Sequence, residues 1–333
     1  MNFSERRGFL KDIISFSGFT FLGCKLKQEN NSPVCMADAS KVVICRDKRL
    51  RDSSGNLTVD GCDKLMKKAL SSYFDPKGYK EGLRAFIQPH TRVSIKLNCL
   101  AGKGLSTEIP LVNSLTKILL DMGVAERNII IWDRLNDDLE RAGYTINTGN
   151  GIRCFGNDIA GYSEEFHFFG QAGSLLSRIV TDFSDVIINM PVLKDHGIVG
   201  LSAGMKNMFG AIHNPNKYHL DAGNPFVADV YAIPQIRNKT KLTICDATRI
   251  QYEAGPPYHP KFCEDYNSII VSEDPVALDY ESLKIIERKR KEHSLRSLID
   301  VGRYPAYIFT AADSDHKLGY ASDDKIEIKE VEV

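Results

Sequence analysis

Short runs of β-branched residues alternate with amphipathic segments from residue 41 onward, and this alternation limits the folds open to the chain. The runs predict buried strands at residues 41–45, 92–98, 128–133, 185–190, 241–245 and 268–271. The segments between them predict helices at residues 62–71, 109–122, 137–142 and 275–291. Because strands separated by helices pair in parallel and are covered on both faces, we predict an α/β fold with a mostly parallel, doubly wound sheet.

The folded part of the chain is predicted to form one elaborated domain, because linker signals are weak and no internal repeat is present. The α/β domain covers residues 41–303. Residues 304–333 predict a small C-terminal β extension of two strands. Within it, residues 325–333 alternate apolar and charged side chains, as an edge strand does.

Composition excludes several classes of protein. The 43 Lys and Arg residues balance 43 Asp and Glu residues, so the net charge of zero gives no general attraction to nucleic acid. No apolar run reaches the roughly 18 residues of a membrane-spanning helix. Eight cysteines in 333 residues are too few for a disulfide scaffold. We therefore expect a soluble α/β protein.

The first 24 residues are predicted to be a targeting signal rather than part of the folded domain. Residues 6–11 (RRGFLK) resemble the twin-arginine export signal, and residues 13–22 form the short, moderately apolar segment of a signal peptide. Residues 21–24 (FLGC) resemble a lipoprotein cleavage box, in which Cys24 would carry the lipid.

Three residues depart from the usual signal pattern, namely Glu5, Asp12 and Phe21, and an amphipathic N-terminal helix is the alternative. With the export interpretation, residues 1–24 are the signal and residues 25–40 a flexible polar tether. The protein is then exported, periplasmic or at the cell surface, and contacts the membrane only through its lipid anchor. Because the twin-arginine route carries folded proteins, often with a cofactor, a bound cofactor becomes more plausible without being identified.

Polar residues follow several predicted strands directly. Because the carboxyl ends of parallel strands meet at one edge of a sheet, these side chains are expected to converge on one crevice. Each alone would be a helix cap or a surface charge, so the coincidence across strands carries the prediction. The residues are Lys96, Asn98, Asp133, Lys194, Asp195, His196, Asp246, Glu273, Asp274 and Asp279.

The densest polar segment is residues 189–213. Lys194 and Lys206 supply cations, while His196 and His213 are able to transfer protons or bind a metal. This set suits a small anionic substrate, with lysine as a point charge and histidine as acid or base.

The alternative for this segment is a helix capped by Gly197 and Gly210, with both lysines in water. Two loops rich in turn residues follow, at residues 214–219 and 255–260, and both contain Tyr and His. Either loop is a lid over the crevice or a rigid surface turn.

The strand-end residues and the polar segment 189–213 also lie in motifs that resemble those of a known family. It resembles the domain of unknown function 362 family, found in bacterial and archaeal proteins, over roughly residues 41–288. The matching motifs are residues 93–98 (VSIKLN), 187–196 (IINMPVLKDH), 204–210 (GMKNMFG), 245–247 (CDA) and 272–279 (SEDPVALD). The resemblance implies a common site at Lys96, Asn98, Lys194, His196, Lys206 and Asn207, and it leaves the reaction unassigned.

Members of that family sometimes accompany ferredoxin-type iron–sulfur domains, but the cysteines here do not support a cluster. No two of the eight are two or three residues apart, so ferredoxin spacing and the paired spacing of a zinc site are both missing. Cys45, Cys99 and Cys245 fall in or beside predicted strands and are interpreted as small core residues. The cofactor, if any, stays unknown.

These observations predict an enzyme that acts on a small anionic substrate. Its predicted catalytic residues are Lys194, His196 and Lys206. Lys96, Asn98, Asn207, Asp246 and Asp274 are the predicted substrate-binding residues, and His196 and His213 are candidate metal ligands. One alternative is a non-catalytic surface lipoprotein that binds a ligand or a redox partner protein. Another is a maturation or carrier factor for a metal centre.

Overall fold

The computed structural model describes residues 38–333. The predicted export signal, with Cys24, and most of the predicted tether lie outside the described residues. Within the described part, no helix has the length and apolar character needed to cross a membrane.

A ten-stranded sheet forms the centre of the molecule, and two further strands form a separate hairpin. The sheet strands are β1 (Ser40–Arg46), β2 (Val93–Lys96), β3 (Ile129–Trp132), β4 (Arg153–Cys154), β7 (Val186–Asn189), β8 (Val192–His196), β9 (Gly200–Ser202), β10 (Thr240–Gln251), β11 (Cys263–Ser272) and β12 (Ile326–Glu332); the hairpin is β5 (His167–Phe169) and β6 (Ala172–Ser174).

Helices cover the sheet. They are α1 (Val59–Tyr73), α2 (Tyr79–Arg84), α3 (Ile109–Asp121), α4 (Asn136–Ala142), α5 (Asn157–Ala160), α6 (Gly204–Asn207), α7 (Phe226–Ala232), α8 (Pro234–Lys239), α9 (Pro275–Glu292) and α10 (Tyr307–Ala311). A π-helical turn spans Ile179–Phe183, and short 3₁₀ turns span Glu126–Asn128, Met208–Ala211, Pro215–Tyr218, Leu220–Gly223, Pro260–Phe262 and Asp323–Lys325.

The strand order confirms the predicted fold class. Along the sheet the order is β12, β1, β11, β10, β7, β2, β3 and β4, with β8 paired to β10 and β9 to β8. Parallel pairs run from β10 through β7, β2 and β3 to β4, and β12 also lies parallel to β1. Only β11 and β9 run antiparallel to their neighbours in this sheet. The result is a mostly parallel α/β sheet with helices packed on it.

Both faces of the sheet are buried, which explains why the strands read as continuous apolar runs. In β3, Ile130 and Trp132 join one hydrophobic core, while Ile129 and Ile131 join the other. Since side chains alternate along a strand, these two memberships place one core on each face. Ile187 in β7 belongs to the same core as Ile130, which extends that layer across the sheet.

Local sequence signals set several helix ends. The Thr58 hydroxyl accepts a hydrogen bond from Gly61 N (3.2 Å) at the start of α1. Gly143 ends α4 in the left-handed conformation, with φ 97°. Asp274 caps α9, where Pro275 occupies the first helical position.

The structure corrects two sequence predictions. A strand was expected to end at Pro191, followed by loop or helix, but residues 192–202 form the hairpin of β8 and β9. The hairpin joins the sheet through β10, which is twelve residues long and so extends beyond the predicted strand at residues 241–245.

The C-terminal extension was expected to contain two strands, but it holds helix α10 and the single strand β12. Tyr307 and Ile308 in α10 are buried, so this apolar stretch packs as a helix.

Candidate functional site

A cavity of about 470 Å³ opens beyond the carboxyl ends of β2 and β3, beside β8 and α6. Seven of the residues that line it are predicted site residues, which the fold brings together from four separate stretches of sequence. They are Lys96, Asn98, Asp133, Lys194, His196, Lys206 and Asn207. Convergence at this edge is the behaviour expected of an open parallel sheet.

Alternation along β8 decides which of its polar residues face the cavity. Lys194 and His196 line it, and Asp195 between them does not. The Asp195 carboxylate instead accepts hydrogen bonds from Arg303 Nη1 (2.9 Å) and Gly255 N (3.0 Å). The ion pair of buried Asp195 with half-buried Arg303 therefore lies on the side of β8 opposite the cavity, which Lys194 and His196 face.

Lys96 is neutralised by a neighbouring strand. Its Nζ donates to Asp133 Oδ1 at 2.6 Å and to Leu97 O at 2.6 Å. Gly210 leaves the space that this pair needs, since a Cβ there would lie 2.8 Å from Lys96 Nζ. The ammonium group of Lys96 is thus already engaged by protein groups.

A chain of side-chain amides fixes Lys194. Its Nζ donates to Asn98 Oδ1 (2.8 Å), and Asn98 Nδ2 donates to Asn207 Oδ1 (3.1 Å). Asn207 Nδ2 then donates to Asn189 Oδ1 (2.7 Å), at the end of β7. The predicted substrate-binding residues Asn98 and Asn207 therefore position Lys194. Asn189 was not predicted, although its place at a strand end was the available signal.

Lys206 lies on the short helix α6, and its amino group faces an aromatic ring. Its Nζ lies 3.8 Å from the centroid of the Phe209 ring, and the residue is 8% exposed. Among the residues that the structure describes, none forms a hydrogen bond or ion pair with this group. Asp279 holds the helix in place by accepting from Gly204 N (2.6 Å) and Met205 N (3.1 Å).

The environment lowers the pKa of both unpaired lysines. Burial lowers the pKa of Lys206 to about 7, with help from the charges of Lys194 and Arg134. Burial also lowers the pKa of Lys194 to about 8, although Asp133 opposes this change. The ring of Phe209 favours the charged form of Lys206 by only about 0.5–2 kcal/mol, whereas burying an unpaired ammonium costs several kcal/mol. Both amines therefore change protonation near neutral pH.

His196 is held as a neutral hydrogen-bond donor. Its Nδ1 accepts from Ile198 N (3.2 Å) and Val199 N (3.4 Å), which leaves the proton on Nε2. Burial, and then the charge of Lys206, lowers the pKa of His196 to about 2. The His219 ring stacks on it at 5.5 Å between centroids. His196 was predicted to act as an acid or a base, but in this structure it is suited only to donate a hydrogen bond from Nε2.

Two predicted substrate-binding carboxylates lie elsewhere. Asp246 is buried within β10, where it accepts from Glu108 N (2.9 Å) and Thr248 N (2.9 Å). Asp274 caps α9, with its oxygens accepting from Ala277 N (2.8 Å) and Tyr320 N (2.9 Å). Both carboxylates are engaged by backbone donors and neither lines the cavity, so their assignment to the site is corrected.

The predicted metal ligand His213 is also placed outside the cavity. Its ring packs edge-on against Tyr162, at 4.9 Å between centroids. In residues 38–333, no three His, Cys, Asp or Glu side chains are grouped as metal ligands. The six cysteines of this range are free, and five of them are buried.

The two loops predicted as lids or surface turns both contribute to the cavity wall. Pro215, Asn216 and His219 come from the first loop, and Pro256 comes from the second. The ring of His219 stacks on that of His196. The sequence predicted only that His219 lies in a loop that is a lid or a surface turn. Further lining residues to which the sequence analysis assigned no role are Leu100, Arg134, Asp138, Ile198 and Phe209.

Comparison with protein families gives a direct assignment. The model of the family described as Domain of unknown function (DUF362) matches residues 93–284. The chain belongs to the DUF362 family. All seven predicted residues that line the cavity lie inside the matched range, as do His219 and Pro256. Arg303, which supports β8, lies outside it.

The other comparisons add no activity to the DUF362 assignment. No curated protein matches the chain. A crystal structure of a Thermotoga maritima protein is similar, with a TM-score of 0.41 and 11% sequence identity. The match covers 72% of this chain and 59% of the Thermotoga maritima chain, so it spans about three-fifths of that protein's length.

Proposed function

We propose that this DUF362 protein is an enzyme that binds a small organic anion in the cavity and transfers a proton to or from it. One observation carries the proposal. Lys194 and Lys206 line one cavity, are buried, and have no carboxylate in ion-pair contact among residues 38–333. Buried cations are normally paired, so an anionic ligand would supply the missing counter-charge.

The remaining groups give the bound anion an orientation. Lys194, fixed by Asn98, holds the anionic group as a point charge. The Nε2–H group of His196 donates to a second oxygen of the ligand. Lys206, which changes protonation near neutral pH, removes or returns the proton.

The size of the cavity favours an organic ligand. At about 30 Å³ per water molecule, a cavity of this size holds on the order of 15 waters. A bare inorganic anion would leave most of that volume to solvent. An anion with several carbon atoms fills more of it, as ligand pockets of this size generally require.

Binding is tested by isothermal titration calorimetry of the full chain with lactate, pyruvate, malonate and inorganic phosphate. A charge-assisted hydrogen bond contributes about 1.5–3 kcal/mol, so Lys194→Met is expected to weaken binding of the best anion about 10- to 100-fold. Lys80→Met, at an exposed lysine on α2, is the matched control and should bind normally. If no anion binds, or if Lys194→Met binds as wild type does, the proposed site is wrong.

Proton transfer is tested separately from binding. In D₂O, the protein should catalyse exchange of a carbon-bound hydrogen in an anion that binds, followed by proton NMR. Lys206→Met should abolish the exchange, and Lys80→Met should retain it. Tight binding without exchange would instead support the alternative of a non-catalytic ligand-binding protein.

We further propose that residues 1–24 direct twin-arginine export and that Cys24 carries a lipid. The support is the sequence itself, in residues 6–11 and 21–24. Changing Arg6 and Arg7 together to Lys should leave unprocessed precursor in the cytoplasm, and Cys24→Ser should abolish labelling with radioactive palmitate. Normal processing of the double Lys variant would exclude the twin-arginine route.

A further inference from the structure

The three lysines of the cavity differ in what their amino groups contact. Lys96 Nζ is held by Asp133 and a backbone carbonyl, and Lys194 Nζ donates to Asn98. Lys206 Nζ faces the Phe209 ring and has no acceptor among the residues that the structure describes. It is therefore the cavity amine whose lone pair is free for bond formation once the proton has left.

The surroundings of Lys206 match those of lysines that act as nucleophiles. Such lysines are desolvated and lie near a second cationic group, which favours the neutral amine. Lys206 is only 8% exposed, and Lys194 lines the same cavity and acts on Lys206 through its charge. The lowered pKa agrees with this arrangement.

The other two basic groups complement a carbonyl next to a carboxylate. A carboxylate on Lys194 would occupy the cationic position that lacks a counter-ion. A carbonyl oxygen would accept from His196 Nε2–H, since His196 Nδ1 is already occupied by two backbone N–H groups. The same donor polarises the carbonyl and leaves its carbon open to an amine.

We propose that Lys206 forms an imine with the carbonyl carbon of a 2-oxo acid bound in the cavity. This inference rests on the proposed function, because it assumes that the anion is held at Lys194. The Lys206 Nζ lone pair forms the C–N bond, and the carbonyl oxygen leaves as water with the two hydrogens of the amine. No oxidant or reductant is needed. The imine makes a neighbouring C–H group more acidic, and that proton passes to solvent water because Lys206 Nζ is then bonded to the ligand carbon. For a 2-oxo acid, this step takes the place of direct proton removal by the Lys206 amine.

Borohydride trapping tests the imine directly. The full chain is incubated with pyruvate or 2-oxoglutarate at about pH 8, where a lysine of depressed pKa is largely neutral, and is then reduced with sodium borohydride. Intact mass and peptide mapping should show one reduced adduct, on Lys206. Lys206→Arg, which keeps a cation but cannot form the imine, should reduce the adduct at least 10-fold. Lys80→Arg is the matched control and should leave it unchanged.

Calorimetry with lactate on wild type and on Lys206→Arg separates the anion site from the imine. Lactate binding by both proteins, with no borohydride-trapped adduct in wild type, would overturn the imine and leave the anion site supported. Absence of lactate and pyruvate binding in wild type would overturn both. Adducts spread over surface lysines, at equal yield in Lys206→Arg, would also overturn the imine. Peptide mapping of wild type decides the position even if the variant does not fold.

Discussion

Charge is unevenly balanced among the side chains of the cavity. Lys96 has its counter-ion in Asp133, at 2.6 Å, whereas Lys194 has an amide and Lys206 an aromatic ring. A hydrogen-bonded amide and a ring face satisfy a buried ammonium less well than a carboxylate does. The two unpaired lysines are therefore the groups whose protonation should respond most to a bound anion.

Anion affinity should fall as pH rises above neutrality. The protonated form of each lysine binds an anion more tightly than the neutral form, and the pKa values of Lys206 and Lys194 are about 7 and 8. Lactate keeps one charge throughout this range, so a loss of affinity reports the lysines. Each lysine costs at most about tenfold in affinity per pH unit above its pKa.

Calorimetry with lactate between about pH 6 and pH 9.5 measures this dependence. In Lys206→Met the decline that begins near pH 7 should disappear, while the decline near pH 8 stays. Affinity that is constant up to the top of the range would contradict the assigned lysines.

His196 should stay neutral at every pH at which the protein is folded and functional. Burial and the charge of Lys206 hold its pKa at about 2, and two backbone donors occupy its Nδ1. His196→Asn should preserve an acceptor near Nδ1 but lose the Nε2 donor, weakening anion binding about 10-fold for one hydrogen bond of about 1.4 kcal/mol.

Nitrogen-15 NMR of the histidine rings checks the protonation state, and calorimetry checks the variant. His293, an exposed histidine at the end of α9, is the internal comparison. A His196 ring that titrates near pH 6.5, the ordinary pKa of histidine, would contradict the donor assignment.

At the scale of elements, the site depends on a helix of only four residues. Such a helix is too short to be stable without tertiary contacts. Asp279, on α9 and fully buried, accepts from the first two backbone N–H groups of α6. This contact fixes Lys206 and Asn207, so a residue outside the cavity controls its geometry.

Asp279→Ala should destabilise the fold and distort the site together. It leaves two buried N–H groups unpaired, each costing about 1–3 kcal/mol. Urea denaturation measures the free energy of unfolding, and lactate affinity reports the site. Asp324→Ala, at an exposed position before β12, should change neither. Unchanged stability and affinity in Asp279→Ala would show that α6 does not need this cap.

Strands with apolar side chains were predictable from sequence, and the polar strand β8 was not. Periodicity identifies β3 and β7 because both of their faces meet a hydrophobic core. In β8, Lys194, Asp195 and His196 are all buried, and Lys194 and Asp195 are hydrogen-bonded to Asn98 and Gly255 in distant parts of the chain. A local pattern carries no information on those partners, so residues 192–196 read as loop.

At the scale of the whole molecule, strand direction decides which strand-end residues meet. Lys96, Asp133 and Asn189 follow or end parallel strands and meet at one edge of the sheet. Asp274 follows β11, which runs antiparallel to β1 and β10, so its strand ends at the opposite edge. Asp246 lies in the middle of β10 because that strand is longer than its apolar part. Parallel order was predictable, and the reversal of β11 was not.

The loops that complete the cavity lay beyond prediction for a different reason. His219 and Pro256 belong to turns whose sequence fits a surface loop as well as a wall of the site. Their positions follow from the packing of the whole chain. The matched family range includes both loops, which places them in the part of the chain shared with DUF362 proteins.

Lys194 and Lys206 together form the proposed binding site for an anion. The most direct test is a pH titration of lysine Nζ by nitrogen-15 NMR, with and without saturating lactate, assigned with Lys194→Met and Lys206→Met. We predict pKa values near 8 and 7 in the free protein, both raised when the anion is bound because an opposite charge favours the protonated amine. Ordinary lysine pKa values in the free protein, or values that lactate leaves unchanged, would show that these two lysines do not form an anion site.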